Sequence, residues 1–408
     1  MAERYSRRDF LTGVVACGTL TAAAIYLLPG GRPAAPIELT LITGSDSTGA
    51  RQILLEIWNE VHPNVRVRVE VVGGETGDQR QEMINRATSA RADIINLDVI
   101  HIPYFADQEL IAPIELDDAS VFLDNTLQAN RVNSDPRRFW AAPFNTDVGM
   151  LFERLAGGES PGDGPDLAQV LDSEVSPGSR QFVGQLRPTS SASEEAFVVN
   201  VLEHALSRDP SILDDNGIPA NDLSRWSAAL EPLRAAVSDG RVALSSTEAD
   251  SLDQFVGTAG PRFMRNWPVK YRELQQLNDA DVEAGRIRLR SLPTGILGGQ
   301  SLAVVNGSRN HEAATEVIRF LTDDRAQRVL AAHGLAPARI GAYNDVNLKA
   351  FIPHLDRLRG AVEGARPRPI HPLYSRFSTV IVNHVGRLLS DNVDLPAQFI
   401  DEMIVALV

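Results

Sequence analysis

Two acidic residues stand where apolar runs give way to polar chain, a position from which a carboxylate can reach a small molecule. Asp46 lies in Gly44-Ser45-Asp46-Ser47-Thr48-Gly49, directly after the β-rich run Ile37 to Thr43, and Asp98 interrupts the apolar run Ile94 to Ile100. Carboxylates so placed can accept hydrogen bonds from ligand hydroxyls. Across a cleft they could also form the acid pair of a glycoside hydrolase, which needs a raised pKa on one partner and a defined separation. Binding demands neither, so binding is the favoured reading. Each residue also has a local use, Asp46 as a helix N-terminal cap and Asp98 in a strand-end turn.

Other chemistries lack their parts. The Gly-rich sites GGRP, VGGETG and LGGQS contain no GxxxxGK[ST] and no GxGxxG between a strand and a helix. No HExxH occurs, and the eight histidines are dispersed without ligand spacing. Gly158-Glu159-Ser160-Pro161-Gly162 matches GxSxG, but in a Gly/Pro-rich stretch without a following helix to build a nucleophile elbow. Cys17 is the one cysteine, which leaves no internal disulfide and no cysteine-built metal site. No cofactor, no metal and no catalytic group is expected.

The elements around the two acids alternate between helix and strand. After the Asp46 loop, Ile53, Leu54, Ile57, Trp58 and Val61 recur at helical spacing up to Pro63. Val65, Val67, Val69 and Val71 then alternate with charged residues as in a strand with one wet face. Asp78 to Ser89 fits a helix, and Ile94 to Ile100 a strand buried on both sides. Beyond Val148 the chain is Gly/Pro-rich from Gly157 to Gly178. Further helices fit Glu194 to Leu206, Trp226 to Val237, Asp250 to Phe263, His311 to Leu330, Ser375 to Ser390 and Ala397 to Val408. Arg286 to Leu292 alternates like an edge strand, and Ser301 to Val305 fits a short one. An α/β fold follows, with binding loops beyond the carboxyl ends of the strands.

At 408 residues the chain exceeds a single hydrophobic core, so two lobes are expected. Hydrophobic residues at 43% and charged residues at 23% suit a packed globular chain. The 39 basic against 53 acidic residues give a net charge of -14, which disfavours nucleic acid and anionic membrane surfaces as partners.

Ser6-Arg7-Arg8-Asp9-Phe10-Leu11 opens an uncharged apolar stretch from Phe10 to Leu28, closed by Gly30-Gly31-Arg32-Pro33. This resembles a twin-arginine export signal. As a helix the stretch would run about 28 Å, close to the thickness of a bilayer core, so residues 1–35 are read as a signal that can stay as a membrane anchor. Cys17 after Val14-Val15-Ala16 offers a weaker route to a lipid tether.

Seven segments together resemble the extracellular solute-binding proteins of ABC importers, in the family that includes carbohydrate binders. They are LTLITGSDSTGARQ, ADIINLDV, FWAAPFNTDVGMLFER, FMRNWPVKYREL, LPTGILGGQSLAVV, IRFLTDDRAQ and ARPRPIHPLY, in that order. The resemblance implies a two-lobed, periplasmic-binding-protein-like fold that closes about a hinge on a trapped ligand. Lobe 1 would comprise 36–143 and 293–333, and lobe 2 would comprise 144–292 and 334–408, with hinges near Pro143 and Pro293. It implies a small polar ligand, a mono- or oligosaccharide first, the permease subunits of an importer as partners, and a monomer. Polyamine or metal-ion binding are the alternatives within the fold, the former because of the acids Asp46, Asp98, Asp147, Glu194 and Glu195.

Carried over by motif, the ligand contacts implied are Asp46, Asp98, Asn145, Thr146, Asp147, Asn266, Trp267, Gly298, Gly299, Gln300 and Arg368, with Glu195 as the second-lobe acid. Trp267 would stack on a sugar ring, or else pack in the core. The glycines would admit backbone amides to the ligand, and Arg368 would clamp a polar group. Two positions depart from the family. His101, also taken as a ligand contact, stands where a Trp often follows the LD acid, and Glu194 where a Tyr commonly precedes Glu195. Two stacking faces are thereby lost, which suits a smaller or more polar ligand.

Overall fold

The computed structural model describes residues 36–73, 76–132, 135–155, 164–173, 179–188, 194–257, 259–277 and 280–408. The twin-arginine segment with Cys17 and the GxSxG match at 158–162 lie outside them. In chain order the strands are β1 (Ile37–Thr43), β2 (Val65–Val71), β3 (Ile94–Asp98), β4 (Ile111–Ala112), β5 (Ile114–Glu115), β6 (Arg131–Val132), β7 (Asp135–Phe139) and β8 (Ala142–Val148). There follow β9 (Met150–Arg154), β10 (Phe182–Gln185), β11 (Val242–Ser245), β12 (Phe263–Asn266), β13 (Ile287–Ser291) and β14 (Leu297–Val305).

The first sheet runs β2-β1-β3-β14-β4, with β8 also paired to β14, and the second runs β11-β10-β12-β9-β13. β1, β2 and β3 are parallel, as the helical crossover Ala50–Val61 requires, whereas β14 returns antiparallel. In β2 the valine alternation buries Val67 and leaves Arg66 and Arg68 exposed. In β3, Ile94 to Leu97 are all buried, because helices cover both faces. Leu39, Leu41 and Ile94 pack on Leu54, Trp58, Val317 and Ile318, and Ile42, Ile95 and Leu97 pack on Met83, Ile102 and Phe105. The second sheet is likewise covered twice. Leu151, Phe182 and Phe263 meet Phe197, Trp226, Phe377 and Ile381 on one side, and Phe152, Val183 and Met264 meet Phe255, Leu274 and Tyr343 on the other.

Three segments pass between the sheets. β8 continues through Pro143 in the first sheet, and Gly149 alone separates it from β9 in the second. The first crossing thus lies at Gly149, beyond the expected Pro143, because β8 keeps pairing with β14 as far as Val148↔Leu297. Pro143 is tolerated inside the strand where the register shifts, opposite Ser301. Pro293 does lie on the return link between β13 and β14. The third runs from helix Asp324–Ala332, whose Leu330 packs with the first sheet, to helix Ile340–Tyr343, whose Tyr343 packs with the second, and on it Ala336 O accepts from Thr146 N at 2.9 Å.

Two helices end earlier than their apolar periodicity suggests. His311 to Leu330 divides into His311–Leu321 and Asp324–Ala332, since the Asp323 carboxylate caps the second through Ala326 N at 2.7 Å. The helix expected over Asp250 to Phe263 is Glu248–Val256, and Phe263 begins β12. Among the described residues, no helix is long and apolar enough to cross a membrane.

Candidate functional site

The carboxyl ends of β1 and β3 in one lobe and of β11 and β12 in the other open onto a shared cavity of about 470 Å³. Of the residues singled out in the sequence, Asp46, Asp98, Asn145, Asp147, Glu195, Trp267, Gly298, Gly299, Gln300 and Arg368 line it. Thr146, Asn266 and His101 are not on its wall.

The three absences have local causes. Along β8 side chains alternate, so Asn145 and Asp147 face the cavity while Thr146 turns away, its hydroxyl donating to Gly298 O at 3.3 Å. Asn266 is fully buried; its Oδ1 accepts from Trp267 N at 2.9 Å and its Nδ2 donates to Glu248 O at 2.9 Å, which fixes the cavity residues on both sides. His101 sits in the short turn after Asp98 and is buried behind it. Burial, against the attraction of Asp98, drops its imidazole to about 4, and the ring is neutral at pH 7.

The Asp46 loop shows why a sequence cannot separate a ligand contact from a cap. Asp46 Oδ1 accepts from Thr48 N at 2.9 Å and from Thr48 Oγ1 at 2.6 Å, and Oδ2 accepts from Arg51 N at 3.0 Å. Burial alone would raise its pKa, but these bonds and the Arg51 charge hold it below the ordinary value. Both oxygens therefore secure the start of helix Ala50–Val61. Arg51, buried behind the loop, donates to Gly44 O at 3.2 Å and presents its side chain to the cavity.

Trp267 emerges from β12 with its indole Nε1–H bonded to Glu248 Oε1. The Arg265 guanidinium lies 4.1 Å from the ring centroid and covers one face. Arg265 is itself locked by Glu203 through Nε to Oε2 at 2.5 Å and Nη2 to Oε1 at 2.9 Å, with both side chains fully buried. A Cβ on Gly298 would touch the indole at 3.4 Å, so the glycine brings backbone against the ring edge. Gly299 has φ +120, and a Cβ there would fall onto Asn145 O. Gln300 Oε1 accepts from Asn96 Nδ2 at 2.7 Å.

Acids dominate the remaining wall. Asp147, on β8, sits near Glu248 of the opposite lobe, and burial followed by that neighbour's charge holds it well above the usual carboxylate range. Glu195, in the first turn of helix Glu194–Arg208, is bonded to Arg368 at 2.5 Å and to the Tyr374 hydroxyl at 2.7 Å. Burial outweighs both partners and raises its pKa. Arg51, Lys270 and Glu248 were not singled out in the sequence. For Glu248 the signal was present, since Thr247 accepts from Asp250 N at 3.1 Å in a T-x-x-D pattern that opens helix Glu248–Val256. Among the described residues, no group of three or more His, Cys, Asp or Glu is placed to hold a metal ion.

Residues 54–351 match the family model described as bacterial extracellular solute-binding protein. A probable ABC transporter-binding protein of Deinococcus radiodurans is 26% identical over 259 residues, a match spanning 59% of this chain and 61% of that relative's length. The maltose-bound MalE3 of T. maritima superposes with a TM-score of 0.78 at 23% identity, over 91% of this chain and 99% of that one. The GacH receptor of Streptomyces glaucescens, whose structures include complexes with acarbose, gives 0.73 at 19% identity over 91% and 98%. These likenesses establish the two-lobed α/β solute-binding fold.

Proposed function

The chain belongs to the bacterial extracellular solute-binding proteins, and from that premise we propose that it captures a carbohydrate in the interlobe cavity and hands it unaltered to an ABC importer. The observation that carries this reading is Trp267. Its indole is held by Glu248 and Arg265 on the wall of a cavity whose other lining residues include carboxylates, amides, glycine backbone and the cations Arg51, Lys270 and Arg368. A flat apolar face beside many acceptors suits a sugar ring, which offers C–H groups on its face and hydroxyls around its rim. About 470 Å³ accommodates a mono- or disaccharide. Maltose and acarbose in the similar structures support the same class.

An extracytoplasmic location follows from the family. Export by the twin-arginine route, an N-terminal tether, a monomeric state and permease subunits as partners complete the proposal. Capture without chemistry fits Asp46, whose two oxygens are already engaged by its own loop.

A cationic ligand such as a polyamine is the second reading, favoured by the meeting of Asp147 and Glu248 at the wall. Titration calorimetry with panels of mono- and disaccharides and of polyamines separates the two. Saturable heat with a sugar supports the proposal. Heat with polyamines alone replaces it, and cleavage of a glycosidic bond, read by mass spectrometry, would turn the protein into an enzyme.

A further inference from the structure

Arg368 has the geometry of a clasp between the lobes. It lies between helices Leu355–Glu363 and Tyr374–Ser390, both packed with the second sheet, two residues after Arg366 bonds the return link at Gly295 and Leu297. Its guanidinium, 3% exposed, holds three acceptors at once: Glu195 Oε1 at 2.5 Å, Asp98 Oδ1 at 3.4 Å and Leu297 O at 3.3 Å. Asp98 ends β3 of the first sheet, and Glu195 begins a helix packed on the second. The Tyr374 hydroxyl, on the second lobe, donates to the same Glu195 oxygen at 2.7 Å.

We propose that Arg368 closes the cleft by joining Asp98 of one lobe to Glu195 of the other, and so sets the closed-to-open ratio before any solute arrives. Three physical points support this. A guanidinium offers several donors in a fixed plane, so one residue can serve two carboxylates and a carbonyl. The two acids are presented by different lobes, and Arg368 belongs to the lobe of Glu195, so moving the lobes apart breaks the arm to Asp98. Opening removes one charge-assisted partner from a guanidinium that is 3% exposed, which opposes separation of the lobes. The clasp also occupies two of the acids that the sequence motifs offered as ligand contacts, Asp98 and Glu195.

This inference rests on the solute-binding reading for its purpose, but closure is measurable without solute, so the two can fail separately. The full chain with Cys17→Ser carries spin labels on cysteines placed at exposed Glu60 and Asp253, one on each lobe, and pulsed dipolar spectroscopy reads the distance between them. Without sugar, the unmodified clasp should give one short, narrow distribution. Arg368→Gln should raise the open fraction about tenfold or more, and Arg368→Lys should fall between, since an ammonium keeps the charge but not the fork. Asp98→Asn and Glu195→Gln, each removing one charged arm with little change of shape, should shift the distribution in the same direction. They also keep the test open if Arg368→Gln fails to fold. Unchanged distances in both single-arm variants, or in a folded Arg368→Gln, would overturn the clasp. A failure of every sugar to bind, with the distances behaving as expected, would instead count against the carbohydrate reading alone.

Discussion

Arg265→Met tests how the stacking face is supported. The substitution removes the charge and leaves Glu203 fully buried, where Ile296 N donates to it at 3.3 Å. Two charge-assisted bonds, at 2.5 and 2.9 Å, are lost. Bonds to charged groups contribute about 1.5 to 3 kcal/mol each, so the loss is about 3 to 6 kcal/mol. The cost of stranding a buried charge, about 3 to 5 kcal/mol, falls in the same range. Trp267 also loses the cation 4.1 Å from its ring, so sugar affinity should fall even at temperatures where the variant is folded. Urea unfolding followed by circular dichroism gives the stability, and calorimetry gives the affinity. The companion Glu203→Leu/Arg265→Met variant removes both charges and should recover most of the stability, but not the affinity. The reasoning is refuted if the single variant loses less than about 1 kcal/mol, or if the double variant is no more stable than the single.

Other outcomes follow from the same geometry. Trp267→Ala should weaken sugar binding by about 1 to 3 kcal/mol, from lost stacking and lost apolar area, with the folded state retained; unchanged affinity with reduced stability would make Trp267 a packing residue. Gly149→Ala places a Cβ on Glu203 Oε1 and 2.7 Å from Arg265 Nη2, so it should destabilise by an amount comparable with Arg265→Met, measured by urea midpoint. Asp46→Ala should cost about 1 kcal/mol as a lost helix cap, and a much larger loss of affinity than of stability would instead assign Asp46 to the ligand. His101 and His204 both titrate at about 4 in the native state, against 6.5 in an unfolded chain, chiefly through burial. The unfolded state therefore binds more protons between pH 6.5 and about 4, and stability falls as pH drops through that window. Asp147 and Glu195, raised in the folded state, act in the opposite sense. The histidine contribution is therefore read as the difference in urea midpoint between the wild type and His204→Gln, which should narrow as pH drops through this window.

Where a short segment dictates its own conformation, the sequence was enough. The valine alternation of β2, the apolar run of β3 and the loop-to-helix start at Gly49 are each carried by residues adjacent in the chain, so periodicity and turn chemistry disclosed them, although β3 bonds to the distant β14. The motifs likewise marked ten residues that line one cavity; most stand on or beside strand ends that share an edge, while Glu195 stands at a helix start and Arg368 in a link between helices. Side-chain direction within a strand was also available in principle, and the two-residue period of β8 explains why Thr146 faces away from the cavity.

What the tertiary structure decided is how distant charges are shared. Asp46 and Glu195 have similar sequence surroundings as acids at helix starts, yet one is occupied by its own loop and the other by Arg368, 173 residues away. The crossing at Gly149 depends on where β8 stops pairing with β14, and on the Glu203–Arg265 pair lying where a side chain at 149 would go. Local patterns determine which elements form, because their energies are settled within a few turns of chain. Which carboxylate stays available to a ligand depends on the cation that folding brings beside it, and no local pattern carries that information.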